Sequence, residues 1–82
     1  MESRIIEALA SNNFILTIHA EKERMPDRNI RRADIVECGR TATKCTYNQK
    51  RDAYKVLGKD LDGDDLVVIA GIDNGVVVIT VY

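Results

Sequence analysis

The last thirty residues of this 82-residue chain constrain its fold more than any other segment. Three runs, residues 53–61, 66–72 and 76–82, are rich in β-branched and aromatic residues, and short turns separate them. Asn74-Gly75 is a strong hairpin signal, because both central residues of a type I′ turn need positive φ. A fourth such run, residues 41–47, precedes them. The sequence therefore predicts an antiparallel meander of four strands over residues 41–82.

A two-residue turn at Asn74-Gly75 also predicts a register, in which Ile69 pairs with Thr80. Alternation of side chains then assigns one sheet face to the helices: Leu66, Val68, Ala70, Ile72, Val77, Ile79 and Val81. The opposite face would carry Val67, Ile69, Val76, Val78, Thr80 and Tyr82, with Tyr54 and Val56 if the preceding hairpin has a four-residue loop. This second face is also apolar, so either a partner covers it or the last two strands are buried on both sides.

Residues 1–40 follow helical periodicity instead. Helices are predicted over residues 2–11, from Thr17 as N-cap to about Met25, and over residues 31–38. Pro26 should end the second helix, and Gly39 should provide a left-handed cap after the third. Residues 14–16 form a brief extended link. The predicted fold class is α+β, with two or three N-terminal helices packed on one face of a four-stranded antiparallel β-meander. The chain is expected to form a single domain, residues 1–82, with a helical part over 1–40 and a sheet part over 41–82.

Composition restricts the environment and the chemistry. No apolar run is long enough to span a membrane, and the acidic, polar start of the chain lacks the pattern of a signal peptide, so we expect a soluble, cytoplasmic protein with no membrane partner. Cys38 and Cys45 fit neither a disulfide framework nor a paired metal motif and are expected to be free thiols. With one histidine in the chain, no metal site is predicted, and no motif calls for a cofactor.

Charge is distributed unevenly, although the net charge is only −1. Residues 22–51 carry a formal charge of +5 and residues 52–82 a charge of −4. Such asymmetry favours an anionic partner at the basic segment, because phosphate contacts dominate affinity for nucleic acids. A solvated helix surface would explain the positive charge of residues 22–51 equally well.

The segment 16–30 concentrates the candidates for chemistry, since it holds the single histidine and the single proline among many charges. His19 and Glu23 are spaced to share one helix face, while Ile18 and Met25 point to another. A histidine can give or take a proton near neutral pH. It can equally be a capping or packing residue, and a histidine–glutamate pair at this spacing is common on exposed helices.

Several short motifs, taken in order, resemble an uncharacterised bacterial family known as domain of unknown function 4258. They are Thr17-Ile18-His19-Ala20, Arg28-Asn29-Ile30, Asp34-Ile35, Tyr54-Lys55-Val56, Asp62-Gly63 and the closing Val78-Ile79-Thr80-Val81-Tyr82. The resemblance covers nearly the whole chain. Two positions depart from the family pattern: Glu23 stands where an arginine is common, and Arg31 or Arg32 stands where a serine or threonine usually caps the third helix.

That family is similar to the barnase, colicin and RelE-type superfamily of small ribonucleases, and its members resemble toxins of type II toxin–antitoxin modules. The resemblance implies RNA cleavage without a metal, which needs an acid or base and cations for the phosphate. The implied catalytic residues are His19, Arg24, Arg28, Tyr54 and Thr80, and the implied RNA-binding residues are Arg31, Arg32, Lys44 and Tyr82.

Two functions of different class remain open at this point. One is a small metal-independent ribonuclease, acting as a toxin, whose partners would be RNA and an antitoxin protein. The other is a non-catalytic module that binds a protein, a nucleic acid or a second copy of itself through the apolar sheet face or the basic helices. Each candidate side chain also has a structural explanation, since arginines form surface ion pairs and tyrosines fill sheet surfaces.

Overall fold

A computed structural model describes all residues, 1–82, as three α-helices and a five-stranded sheet. The helices are α1 (Glu2–Ala10), α2 (Met25–Arg28) and α3 (Arg32–Arg40), and a π-helical turn, Ala20–Arg24, leads directly into α2. The strands are β1 (Ile15–Leu16), β2 (Lys44–Asn48), β3 (Ala53–Lys59), β4 (Asp65–Ile72) and β5 (Val76–Val81). The predicted α+β class and the order of elements are confirmed.

The sheet is mixed, whereas the sequence predicted four antiparallel strands. The strand order is β1-β5-β4-β3-β2, and β1 pairs with β5 in parallel. The additional strand is the short link that begins at Phe14. It is only two residues long, so no alternation reveals it, and its partner lies more than sixty residues away in the sequence.

The register of the last hairpin is correct at one end and wrong at the other. Ile69 pairs with Thr80, as predicted, but next to the turn Ile72 pairs with Val76. The loop therefore contains three residues, Asp73 to Gly75, and a β-bulge opposite Ile69 and Ala70 absorbs the extra residue. Because a shift of one residue moves every side chain to the other face, Val76 and Val78 lie in the core and Val77 lies outside.

The helices cover one face of the sheet. Their core contains Ile5 and Leu9 of α1, Ile35 and Cys38 of α3, and a row of strand residues beneath them: Val56, Leu66, Val68, Ala70, Val76, Val78 and Val81. No element of the chain covers the other face, which we call the open face. Its members are Ile15, Lys44, Thr46, Lys55, Leu57, Val67, Ile69, Val77, Ile79, Thr80 and Tyr82. An apolar second face, predicted from the sequence, is thus present with changed membership.

Two glycines allow α3 to approach its neighbours α1 and β3 closely. Gly39 lies inside α3, not at a left-handed cap as predicted, and a Cβ there would lie 2.6 Å from Cβ of Leu9. Gly58 of β3 lies under α3, where a Cβ would lie 2.3 Å from the carbonyl oxygen of Cys38. At both positions glycine is required because it has no Cβ, and not because its φ angle is unusual.

Pro26 does not end the second helix, contrary to the sequence prediction. It occupies the first turn of α2, where a missing N–H costs little, and the chain upstream winds as a π turn. The helical path then ends at Asn29, which adopts a left-handed conformation with φ of 54°. Met25 and Ile30 anchor this segment in the core.

Candidate functional site

Thr17 fixes the start of the π turn against the end of β5. Its hydroxyl accepts a hydrogen bond from the N–H of Ala20 at 3.1 Å, as an N-cap should, and donates to the carbonyl of Ile79 at 2.9 Å. Its own N–H donates to the carbonyl of Val78 at 3.0 Å. The segment that carries His19 is therefore tied to the strand that carries Thr80. We call this place the β1–β5 junction, comprising residues 17–24 and 78–82.

His19 projects from the β1–β5 junction with its side chain 47% exposed. Its Nδ1 lies 3.3 Å from Oε2 of Glu23, as the spacing of four residues predicted. A carboxylate can only accept hydrogen bonds, so this contact is made by the tautomer that carries its proton on Nδ1. In the neutral form of that tautomer, Nε2 keeps its lone pair. A histidine in this state suits a general base.

Thr80 has the one buried side-chain oxygen or nitrogen atom in the chain without a hydrogen-bond partner. Thr80 follows Ile79, whose carbonyl receives the bond from Thr17, so it lies beside the segment of His19. Tyr82 lies two residues further on the open face, where its backbone pairs with Val67 and its side chain remains exposed. Of the predicted residues, His19, Thr80 and Tyr82 thus belong to the two segments that Thr17 joins at the β1–β5 junction.

Two of the predicted arginines belong to the same helical path. Arg24 ends the π turn and is exposed, and its guanidinium forms neither a hydrogen bond nor an ion pair within the chain. Arg28 ends α2, and its guanidinium donates to the backbone carbonyl of Asp65 at 3.3 Å. The carboxylate of Asp65 is bound by Lys59, whose hydrogen bond lowers the pKa of Asp65 while the pKa of Lys59 is raised. Arg28 therefore lies near the shared end of β3 and β4 with donors to spare.

The two arginines at the start of α3 differ in their contacts. Arg31 is the N-cap residue, where the carboxylate of Asp34 accepts its backbone N–H at 2.9 Å, and its guanidinium is 75% exposed beside the same carboxylate. Arg32 donates to the side chain of Asn12 at 2.6 Å and to the carbonyl of Phe14 at 2.5 Å, and its guanidinium lies 4.0 Å from the centre of the Phe14 ring. Neither side chain lies in the β1–β5 junction, although both were predicted to bind RNA.

Tyr54 and Lys44 are also remote from the junction. Tyr54 pairs with Ala70 on the helix side of the sheet, whereas Thr80 is on the open face, so the prediction that the two share a face is wrong. Burial raises the pKa of Tyr54, and its ring packs 4.8 Å from that of Tyr47. Lys44 lies on the open face, but β3 and β4 separate its strand from β5. The predicted residues therefore do not form a single cluster.

Acidic and thiol groups give no metal site. No group of three or more histidine, cysteine or acidic side chains is arranged to hold a metal ion. The aspartates near Gly63 instead build the β3–β4 turn, in which the carboxylate of Asp60 accepts the N–H groups of Asp62 and Asp64 at 2.9 Å. Both cysteines are free, and burial raises the pKa of Cys38 to about 12. That thiol donates to the carbonyl of Leu66.

A polar cleft beside α1 was not predicted. It measures about 490 Å³ and lies between α1, the start of β1 and the β4–β5 turn. Its rim carries Arg4, Glu7, Asn13 and Asn74, of which the sequence analysis considered only Asn74, as part of a hairpin turn. The parallel pairing of β1 with β5 brings these distant segments together, and that pairing had no sequence signal.

Comparison with known proteins gives one match. The model of a family described as Domain of unknown function (DUF4258) matches residues 16–82, which is most of the chain and includes the whole β1–β5 junction. No curated protein and no solved structure matches the chain. None of the helices has the length and apolar character needed to cross a lipid bilayer.

Proposed function

The chain belongs to the DUF4258 family, and we propose that it is a small ribonuclease that works without a metal ion and acts as a toxin of a type II toxin–antitoxin module. One observation supports this proposal most directly. His19 is exposed, its Nδ1 contacts the carboxylate of Glu23, and Thr17 holds its segment against the strand of Thr80 and Tyr82. The similarity to barnase and RelE-type enzymes is part of the proposal.

The proposed reaction is attack of a ribose 2′-hydroxyl on the adjacent phosphorus. His19 takes the hydroxyl proton through Nε2, and its ring donates a hydrogen bond from Nδ1 to Glu23. The negative charge of Glu23 stabilises the imidazolium that forms. The bond to the 5′-oxygen breaks, that oxygen takes a proton from solvent, and a 2′,3′-cyclic phosphate remains. Arg24 and Arg28 bind the phosphate, because guanidinium groups match its oxygens in pairs.

Thr80 and Tyr82 complete the proposed site. The hydroxyl of Thr80 has no partner within the chain and is available to a substrate when the junction adjusts. Tyr82 is exposed beside it and offers a ring on which a base can stack. Tyr54, Arg31, Arg32 and Lys44 are left out of this site, since they lie elsewhere or hold the fold together.

Cleavage of single-stranded RNA by purified protein tests the proposal. We expect the wild type to release fragments ending in cyclic phosphate, and His19→Ala to lose at least a hundredfold in rate, the usual contribution of a general base. Glu23→Gln should lose less, because the amide can still accept from Nδ1 without stabilising a charged ring. Both side chains are exposed, so neither change should unfold the protein. Full activity in His19→Ala would disprove the role of His19.

The open face supports the second function, a non-catalytic interaction module. It exposes Ile15 and Ile79 together with the half-buried Val67, Ile69 and Val77, a larger apolar area than a solvated sheet usually shows. Under this proposal an antitoxin protein or a second copy would cover the face, and purified protein would cut no RNA. Sizing by light scattering distinguishes the second copy, because a dimer would double the mass from 9.2 kDa.

A further inference from the structure

The cleft beside α1 is the strongest unassigned site in the molecule. Its volume of about 490 Å³ falls in the range of pockets that hold small ligands. Phe14, Ile15 and Val76 contribute apolar surface, and polar side chains surround it. The combination of apolar surface and polar side chains suits a ring with hydrogen-bonding edges.

The rim keeps its hydrogen-bonding groups free. The guanidinium of Arg4 and the carboxylate of Glu7 form neither a hydrogen bond nor an ion pair, although they are three positions apart on α1, a spacing at which such side chains can meet. The side-chain amides of Asn13 and Asn74 are likewise without partners in the chain. Other polar groups nearby are used, since Asn12 accepts from Arg32 and Ser11 donates to the carbonyl of Glu7. The free groups offer one cation, one anion and two amides to a ligand.

These groups match a nucleotide. Amide side chains form paired hydrogen bonds with base edges, and arginine binds phosphate. A carboxylate only accepts hydrogen bonds, so Glu7 favours a base with an amino group over uracil. Recognition of single-stranded RNA relies on such exposed base edges.

The cleft also lies on the route to His19. It opens beside Val76 at the start of β5, and the β1–β5 junction lies beside Ile79. Three residues of a strand span about 10 Å, which is roughly three stacked nucleotides at ~3.4 Å each. Ile15 of the cleft and Ile18 of the junction, which are 63% and 79% exposed, are only three positions apart in the chain. One RNA strand following this sheet edge can therefore contact both.

We propose that the cleft binds one nucleotide of a single-stranded RNA, with an amino-bearing base, about three nucleotides from the phosphate held at His19. This inference rests on the proposed function for its substrate class. It adds a specificity site that the sequence motifs did not include, because Arg4 and Asn13 lie before residue 16, where the family match begins.

Binding of uncleavable oligonucleotides tests the site separately from catalysis. Full-length protein is titrated into fluorescent 2′-deoxy strands of two and eight nucleotides, and anisotropy is measured. We expect Arg4→Ala to weaken binding of the octamer about tenfold, the effect of losing one charged hydrogen-bonded contact, and to leave the dimer unchanged. Arg51→Ala is the matched control, because Arg51 is exposed in the β2–β3 turn and outside the cleft. Octamers of cytosine should bind more tightly than octamers of uracil, and Glu7→Gln should remove that difference.

The outcomes separate the two proposals. If Arg4→Ala weakens octamer binding but the wild type cuts no RNA, the nucleotide site stands and the ribonuclease proposal falls. If the wild type cuts RNA and Arg4→Ala behaves like Arg51→Ala in binding and in KM, only the nucleotide site is disproved and the ribonuclease proposal stands. If no oligonucleotide binds, the nucleotide site is disproved, and the cleavage assay alone decides the ribonuclease proposal. Circular dichroism melts of each variant confirm that folding is intact, as expected for changes at exposed side chains.

Discussion

Gly58 shows how strongly one missing side chain can determine the packing of two layers. An alanine Cβ at this position would lie 2.3 Å from the carbonyl oxygen of Cys38 and 2.9 Å from its Sγ. Backbone atoms cannot move aside as a flexible side chain can, so we expect Gly58→Ala to lower the free energy of unfolding by about 1–3 kcal/mol. Urea denaturation followed by circular dichroism measures the loss.

Gly71 of β4 is the matched control, since it is also a strand glycine but has room for a methyl group. The nearest atom to a Cβ there is Cδ1 of Ile79 at 3.4 Å, an ordinary contact. Gly71→Ala should change stability little or increase it, because the unfolded chain loses freedom. Equal losses in the two variants would contradict the close approach of α3 to β3.

The buried thiol of Cys38 makes stability depend on alkaline pH. Its pKa is raised to about 12 in the folded protein, whereas an exposed thiol titrates near 8.5. Between these values the unfolded chain loses a proton that the folded chain keeps, so the free energy of unfolding falls as pH rises, by about 1.4 kcal/mol per pH unit from this group. Below pH 8 the contribution is fully present.

Cys38→Ala should remove that slope while costing some stability at every pH through the smaller side chain. Denaturation midpoints between pH 7 and pH 10.5 measure both effects. Cys45→Ala serves as the control, because Cys45 is only partly buried and should carry less of the slope. An unchanged slope in Cys38→Ala would mean that the thiol ionises as easily in the folded chain as in the unfolded one.

At the scale of elements, a single hydroxyl joins the π turn to the sheet. Thr17 satisfies the N–H of Ala20 and the carbonyl of Ile79 at once. Thr17→Val keeps the shape and removes both bonds, so we expect a loss of about 1 kcal/mol in unfolding free energy. The same change at Thr46, exposed on β2 without a side-chain bond, should stay within about 0.5 kcal/mol.

If the β1–β5 junction is the catalytic site, Thr17→Val should also slow RNA cleavage, because His19 follows Thr17 by two residues. Thr46→Val should leave the rate unchanged. A variant that loses stability but keeps the full rate would show that the junction does not position His19.

The elements that the sequence predicted correctly are those with long or regular signals. Helical spacing identified α1 and α3, and alternation of β-branched residues identified β2 to β5 within a few residues. The errors have a common cause, which is that the deciding contact is distant in the sequence. Strand β1 is visible only through its partner Val77, and Gly39 is explained only by Leu9 of another helix.

The site illustrates the same division. The pair of His19 and Glu23 follows from local helical spacing, and it was predicted. Whether Thr80 and Tyr54 share a face depends on the loop between β3 and β4. Lys59 pairs with Asp65, so this loop has five residues and not the four that the prediction required, and Tyr54 therefore lies on the helix side. In the last hairpin, a turn of three residues and a bulge near Ile79 change the faces of Val76 to Val78 but leave Thr80 opposite Ile69. Two irregularities that compensate each other leave the far register intact, so hydrophobic alternation alone cannot detect either of them.

Across the whole molecule, the helix layer and the sheet bring together charges that are separate in the sequence. The basic segment meets the acidic segment where Arg28 donates to the backbone carbonyl of Asp65, whose carboxylate is paired with Lys59 of the acidic segment itself. The basic surface available to RNA is smaller than the sequence count of +5 suggests, because the guanidinium of Arg32 is bound to Asn12 and Phe14. Arg24 and Arg28 are the arginines of the helical path beside β5.

The salt dependence of RNA binding tests this division of charge. Each phosphate contact on a single strand contributes about 0.7 to the slope of log affinity against log salt concentration. We expect Arg24→Gln and Arg28→Gln each to lower the slope by about that amount, whereas Arg51→Gln, in the distant β2–β3 turn, should not change it. Arg32→Gln should instead lower the melting temperature and leave the slope unchanged, because the donors of its guanidinium are bound to Asn12 and Phe14. Anisotropy titrations of an uncleavable strand from 50 to 300 mM salt give the slopes of all four variants. If Arg51→Gln lowers the slope as much as Arg24→Gln does, the protein binds RNA through diffuse charge and not through the β1–β5 junction.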